Sequence, residues 1–173
     1  LNKTSAVLDS PTVENDFDRW LAKNYMEPYN IDFKYRFKDV LGDMDYNLTP
    51  ADYGQAIKLA KLTLHLTLQV YDEVTGSRQF ISENFPKIVH VIGSPAYNEN
   101  NNIVLGVAEG GKMMTLYQVN IIDYLLNTKD IDQLNELFFK TMHHEFGHIL
   151  HQTRPYSTDF NAVTPSSYVG DAC

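Results

Sequence analysis

Hydrophobic and polar positions along the chain follow two different periods, which predict where helices and strands lie. Apolar residues recur at helical spacing in three stretches, from Ser10-Pro11 to about Tyr25, from Thr49-Pro50 to about Glu73, and from Asp130 to about Gln152. Each stretch opens on a Ser, Thr or Asp that can cap a helix. Pro28 and Gly76 are expected to end the first two helices. A shorter helix is predicted over 121–126.

Other stretches follow the pattern of strands. The run 31–38 alternates apolar and charged residues, as a strand with one wet face does. A buried strand is predicted at 87–92 and two further strands at 103–107 and 113–119, with a turn at Ser82 to Pro86. Gly110-Gly111 predicts a hairpin between the last two strands. The order predicts an α+β fold in which a small, largely antiparallel sheet packs on long helices. The chain, 1–173, is interpreted as one domain.

Composition and charge narrow the possible functions. The 173 residues carry a formal net charge of −8, and their hydrophobic fraction is 43%. The chain has no basic stripe of the kind that binds nucleic acids, and no apolar stretch long enough to span a membrane. One cysteine, Cys173, excludes a disulfide framework within the chain. Because the chain begins at Leu1 and ends abruptly, we expect that an N-terminal segment was removed and that the natural chain extends beyond Cys173.

A short string in the last predicted helix carries the candidate chemistry. His144, Glu145 and His148 form the motif H-E-x-x-H. Residues four apart on a helix share one face, about 6 Å apart along the axis, so both imidazoles can bind one zinc ion. Glu145 lies beside the pair and is predicted to be the general base of a metallopeptidase. The alternative is a helix whose histidines are ordinary polar groups, and the uncharged flanking residues favour the metal site.

The third zinc ligand is not evident from the sequence. His151 shares the face of the pair but lies about 10 Å from His144 along the axis, which favours a role in packing or in supporting a ligand. It can be the third ligand only if the helix ends there and the chain turns. Asp159 and Asp171 are the downstream acids, and each is either the third ligand or an exposed loop residue. His143 points away from the pair and is predicted to be exposed or structural.

The string 143–152, followed by Pro155-Tyr156 and Asp159-Phe160, resembles the zinc-binding metallopeptidases of Bacteroidetes. The stretches 110–117 and 168–171 are similar too. The resemblance implies a zincin-like fold with the active-site helix near the C-terminus, and a longer C-terminal part with further acidic residues. It also implies a secreted lipoprotein at the bacterial cell surface or in the periplasm, with an anchor cysteine upstream of Leu1. Proteins of this family are often encoded beside SusD-like components, so glycan-uptake partners are expected.

The sequence gives weaker signals for the residues that would bind the substrate. The run 113–119 is a candidate edge strand to which a peptide could add, although an ordinary hairpin strand fits equally well. Tyr117, Tyr156 and Tyr168 are candidate oxyanion partners or packing aromatics. We expect a peptide or protein substrate and no nucleic-acid partner. The alternative function is a non-catalytic extracytoplasmic binding module of a glycan-uptake system on a zincin scaffold.

Overall fold

The computed structural model describes residues 14–36, 48–153 and 159. The α-helices are α1 (Asp16–Leu21), α2 (Glu27–Tyr29), α3 (Tyr53–Thr63), α4 (Gln69–Thr75), α5 (Gln79–Asn84), α6 (Ile122–Thr128), α7 (Ile131–Leu134) and α8 (Thr141–Thr153). The strands are β1 (Asp32–Lys34), β2 (Ile88–Val91), β3 (Ala96–Tyr97), β4 (Ile103–Val104), β5 (Gly106–Glu109) and β6 (Met113–Leu116). π-Helical segments at Ala22–Met26, Leu64–Leu68 and Asn135–Lys140 join α1 to α2, α3 to α4 and α7 to α8. A 3-10 turn, Val119–Ile121, precedes α6.

Asp130 begins a helix and Gly76 ends one as the sequence predicts, whereas the predicted start at Thr49-Pro50 is wrong, because α3 begins after Asp52. Asp52 and Asp130 each accept a hydrogen bond from the backbone N–H three residues ahead. Gly76 ends α4 in the left-handed conformation, with φ of 71°. The predicted helix start at Ser10-Pro11 lies outside the described residues. Helix α1 begins after Asn15, which forms a capping box with Asp18.

Two further predicted boundaries are wrong. Pro28 does not end the first helix, because the helical stretch continues through the π-helical segment Ala22–Met26 into α2, which contains Pro28. Asn30, with φ of 55°, ends that helix instead. The predicted turn at 82–86 begins inside α5, whose six residues are too few for the hydrophobic period to reveal a helix.

The main sheet is mixed, which corrects the expectation of a largely antiparallel sheet. Its strand order is β1-β2-β6-β5, in which only the β5–β6 pair is antiparallel. The helices α3 to α5 lie between β1 and β2 in the chain. They bring the chain back to the end of the sheet at which β1 begins, so these two strands run in the same direction. The predicted α+β class and the hairpin at Gly110-Gly111 are confirmed.

The edge strands of the main sheet are β1 and β5, so the prediction of an edge strand at 113–119 is wrong and the alternative, an ordinary hairpin strand, is confirmed. Strand β6 lies between β2 and β5. The chain crosses the end of β6, where Ser94 O accepts a hydrogen bond from Gln118 N at 3.0 Å, and β3 then pairs with β4. Strand β5 pairs with β6 on one side, and no strand of the described chain pairs with its other side.

Helices cover one face of the main sheet. The side chains that point to this face belong to the main hydrophobic core, and they include Val89, Val91, Met114 and Leu116. Phe138, Met142 and Phe146, from the last helical stretch, lie in the same core and have no solvent exposure. Helix α8 packs on β5, which brings the H-E-x-x-H motif beside the sheet edge. Among the helices described, none is long and apolar enough to cross a membrane.

A histidine is fully buried in the middle of the sheet. His90 on β2 lies between Lys34 of β1 and Thr115 of β6, and it has no solvent exposure. Neither ring nitrogen has a hydrogen-bond partner within the described residues. Burial lowers the pKa of His90, and the positive charge of Lys34 lowers it further.

Stability at acidic pH is expected to depend on His90. In the unfolded chain the imidazole has a pKa of about 6.5, and the folded pKa is lower, so the unfolded state takes up the proton first. The free energy of unfolding should therefore fall as the pH drops below about 6.5. His90→Leu should lose much of this dependence in urea unfolding at pH values from neutral to mildly acidic. His65→Gln, at an exposed position, controls for the loss of one histidine. An unchanged pH dependence in His90→Leu would contradict the expectation.

Candidate metal centre

Helix α8 presents the motif because its opposite face is fixed in the core. The ring of Phe146 packs against the rings of Phe85, Tyr71 and Phe80, with centroid distances of 4.9, 5.3 and 6.0 Å. Met142 is buried on the same side of α8. The helical period then turns His144 and His148 towards solvent, and both side chains are exposed.

The two motif histidines approach each other closely. Their Nε2 atoms are 2.9 Å apart, and their rings are perpendicular with centroids 4.5 Å apart. Two nitrogens at this separation can each lie about 2.0–2.1 Å from one zinc ion, and imidazole nitrogen is a preferred zinc ligand. The pair therefore fits a zinc ion in donor chemistry, and one ion can reach both nitrogens.

Glu145 lies on the neighbouring side of α8, in a cleft between this helix and the start of β5. The cleft has a volume of about 220 Å³ and is lined by Leu105, Gly106, Glu136, Lys140, Thr141, His144 and Glu145. Glu145 is half-buried and has no hydrogen-bond or ion-pair partner among the residues described. The structure thus brings the candidate base and one candidate ligand to a single cleft beside the open sheet edge.

Gly106 allows β5 to lie close to α8. A Cβ atom at position 106 would lie 2.7 Å from Cγ2 of Thr141 and 3.2 Å from the carbonyl oxygen of Thr115. The Thr141 hydroxyl donates a hydrogen bond to the carbonyl oxygen of Glu136 at 3.0 Å, which holds the methyl group in place. The sequence carries a signal of this contact, because a glycine inside a strand often marks a close backbone approach.

Gly106→Ala is expected to lower the free energy of unfolding by about 1–3 kcal/mol, since the added methyl group overpacks the contact with Thr141. The double variant Gly106→Ala/Thr141→Ser keeps the hydroxyl but removes Cγ2, so it should recover much of the loss. Urea unfolding of both variants and of Thr141→Ser alone measures the effect. No recovery in the double variant would show that the Thr141 methyl group is not the cause.

The structure supplies no third ligand for the histidine pair within 14–36, 48–153 and 159. His151 is exposed and lies in a groove of about 350 Å³ with His143, His144, Gly147 and His148, but it forms no three-residue metal group with them. Asp159 is helical and exposed, and it joins no such group either. Asp171 lies outside the described residues, as do Tyr156 and Tyr168.

The structure places His143 beside the motif and Tyr117 away from it. His143 is half-buried, and its Nδ1 lies 2.9 Å from the hydroxyl of Tyr71, a contact the sequence gives no signal of. Burial lowers the pKa of His143. Tyr117 is 5% exposed and packs with Ile92 and Ala96 in a second hydrophobic cluster, so it lies in the core and not in the cleft.

The chain is similar in sequence to a known protein family and in sequence and fold to a solved structure. A family described as "Putative zinc-binding metallo-peptidase" matches residues 10–173. The chain belongs to this family. Its description agrees with the predicted resemblance to zinc metallopeptidases and with zinc as the cofactor. None of the curated proteins matches this family member.

A solved structure resembles this metallopeptidase-family chain over most of its length. It is described as a "putative zinc-binding metallo-peptidase" from Bacteroides caccae, with 40% sequence identity and a TM-score of 0.66. The match covers 90% of this chain and 57% of the other, so this chain spans little more than half the length of that relative. The likeness agrees with the α+β fold of this family member.

Proposed function

We propose that the protein is a zinc-dependent metallopeptidase that hydrolyses peptide bonds at α8. The observation that carries the proposal is the approach of the His144 and His148 Nε2 atoms to 2.9 Å, with Glu145 in the adjoining cleft. Membership of a family described as zinc-binding metallopeptidases supports it.

Two side chains of α8 would bind zinc, and a third transfers a proton. His144 and His148 would hold zinc through their Nε2 atoms. Zinc bound there would polarise the substrate carbonyl and lower the pKa of a water molecule to about 7. Glu145 accepts a proton from the attacking water and passes it to the leaving amine. Its half-buried position beside His144, without a competing cation partner among the described residues, suits a general base.

The outer edge of β5 is the proposed place for the peptide. Backbone N–H and C=O groups along this edge have no partner strand in the described chain, so an extended peptide can add to them. Gly106 belongs to both β5 and the cleft, so a peptide bound there would run past Glu145.

Removal of zinc tests the proposed activity. The zinc-loaded protein should cleave members of a peptide library, and mass spectrometry should show the new termini. A chelator should stop cleavage, and added zinc should restore it. Cleavage that continues after elemental analysis has shown the zinc to be gone would contradict the proposal.

A second candidate function is a non-catalytic binding module of a glycan-uptake system. The lack of a third metal-binding side chain beside His144 and His148 in the described part of the chain favours it. Tight carbohydrate binding by the metal-free protein, with no cleavage of any library peptide, would support this function and exclude the peptidase.

We also propose that the protein acts outside the cytoplasm, at the cell surface or in the periplasm, as a lipoprotein with glycan-uptake partners. The resemblance of the string 143–152 to the Bacteroidetes family supports this location. Cell fractionation with metabolic labelling by a fatty-acid analogue tests it. Recovery of unlabelled protein only from the cytoplasm would contradict it.

A further inference from the structure

An ion pair lines the cleft that contains Glu145. The Nζ atom of Lys140 lies 2.8 and 2.7 Å from the two carboxylate oxygens of Glu136. More than half of each side chain is exposed, 63% and 54%. Both residues belong to the π-helical segment Asn135–Lys140, which leads directly into α8. The proposed function assigns no role to this pair.

The cleft offers more hydrogen-bond acceptors than donors. A carboxylate has about four lone-pair positions, whereas a lysine ammonium has three donors. The contact with Glu136 uses two donors of Lys140, so about one donor and two acceptor positions are left. Glu145 adds a second carboxylate, so two carboxylates face one ammonium in this cleft.

We infer that the cleft is a subsite for a basic side chain, Lys or Arg, of the peptide substrate, with Glu136 as the residue that recognises it. This inference rests on the proposed peptidase function. A guanidinium or ammonium group finds free acceptor positions on Glu136. A substrate carboxylate finds one free donor on Lys140, beside two negative groups. The net charge of −8 also favours the approach of basic peptides.

In this arrangement Lys140 competes with the substrate for Glu136. An exposed ion pair is worth little, so the pair can rearrange at small cost when a basic side chain enters. Lys140 therefore weakens the preference for basic peptides and Glu136 creates it. The two residues have opposite effects on specificity although they form one contact.

Two single substitutions distinguish recognition of a basic side chain by Glu136 from a purely structural role of the ion pair. Glu136→Gln and Lys140→Gln both break the same ion pair, so a purely structural role would move both variants in one direction. Recognition predicts opposite shifts: the preference for Arg or Lys over Gln in the peptide should fall about three- to fivefold in Glu136→Gln and rise by a similar factor in Lys140→Gln. Raised salt should reduce the preference of the unsubstituted protein.

Matched controls come from an exposed ion pair that does not line the cleft. Lys58 on α3 pairs with Asp123 on α6, and both side chains are about half exposed. Asp123→Asn and Lys58→Gln change the net charge by the same amounts as the two test substitutions. These controls should leave the peptide preference unchanged, which excludes general electrostatic attraction as the cause.

The probes are alanine-based peptides that differ by a single Lys, Arg, Glu or Gln, placed in turn on either side of the scissile bond. Both kcat/KM and binding, by fluorescence anisotropy, are measured. If Glu136→Gln and Lys140→Gln shift peptide binding in opposite directions but no peptide is cleaved, the catalytic proposal is refuted and the subsite is supported. Shifts in the same direction, no preference for basic peptides, or no peptide binding at all would overturn the subsite.

Discussion

Glu145→Gln is expected to lower kcat for peptide hydrolysis by at least about 100-fold while zinc remains bound. Glutamine has nearly the same size as glutamate, so it fits the half-buried position in the cleft. Its amide cannot accept a proton from the attacking water, so the general-base step is lost. The metal ligands are untouched, because His144 and His148 supply the nitrogens that lie 2.9 Å apart.

The comparison is made on one cleaved peptide, with zinc content measured on the same samples. Glu83→Gln, on the exposed surface of α5, makes the same chemical change away from the cleft and should keep full activity. Undiminished cleavage by Glu145→Gln would remove Glu145 from the mechanism. Loss of zinc together with activity would instead show that Glu145 supports the metal.

His148→Ala is expected to reduce zinc from near one ion per chain to background, because a single imidazole on an exposed helix face holds zinc weakly. A bound ion also stabilises the folded state, by about 2.7 kcal/mol at a free concentration of 100 times Kd. Added zinc should therefore raise the Tm of the unsubstituted protein and leave that of His148→Ala unchanged. Elemental analysis and thermal unfolding measure the two effects independently.

Two further histidine variants test whether the loss of zinc is specific to His148. His65→Ala, at an exposed position of the π-helical segment Leu64–Leu68, should keep zinc. His151→Ala tests a further histidine of the α8 groove: retained zinc would leave His151 a supporting role, and lost zinc would make it a ligand. Full zinc content in His148→Ala would refute the proposed ligand pair.

Local signals in the sequence predict much of the helical framework. The cap Asp130 acts within one helical turn, and Gly76 ends a helix by its own backbone conformation, so each is readable without knowing the fold. The proximity of His144 and His148 is predictable for the same reason, since it depends only on the helical period. The position of Glu145 beside them follows as well.

The features that shape the cleft depend on contacts between residues far apart in the chain. The hydrophobic pattern shows which face of a strand is buried but not which way its neighbour runs, so it missed the parallel pairing of β1 with β2. The contact of Tyr71 with His143 joins separate helices, and that of Gly106 with Thr141 joins a strand to a helix. Neither pair is identifiable until the tertiary fold is known.

The two outer strand pairs of the mixed sheet also lose different amounts of chain entropy when they form. Only the turn 110–112 separates β5 from β6, whereas β1 meets β2 after the connection 35–87. The entropy lost on closing a loop grows with its length, so the hairpin closes at lower cost than the parallel pair. The β5 side of the cleft can therefore form from neighbouring residues, whereas the far side of the sheet depends on the ordering of α3 to α5.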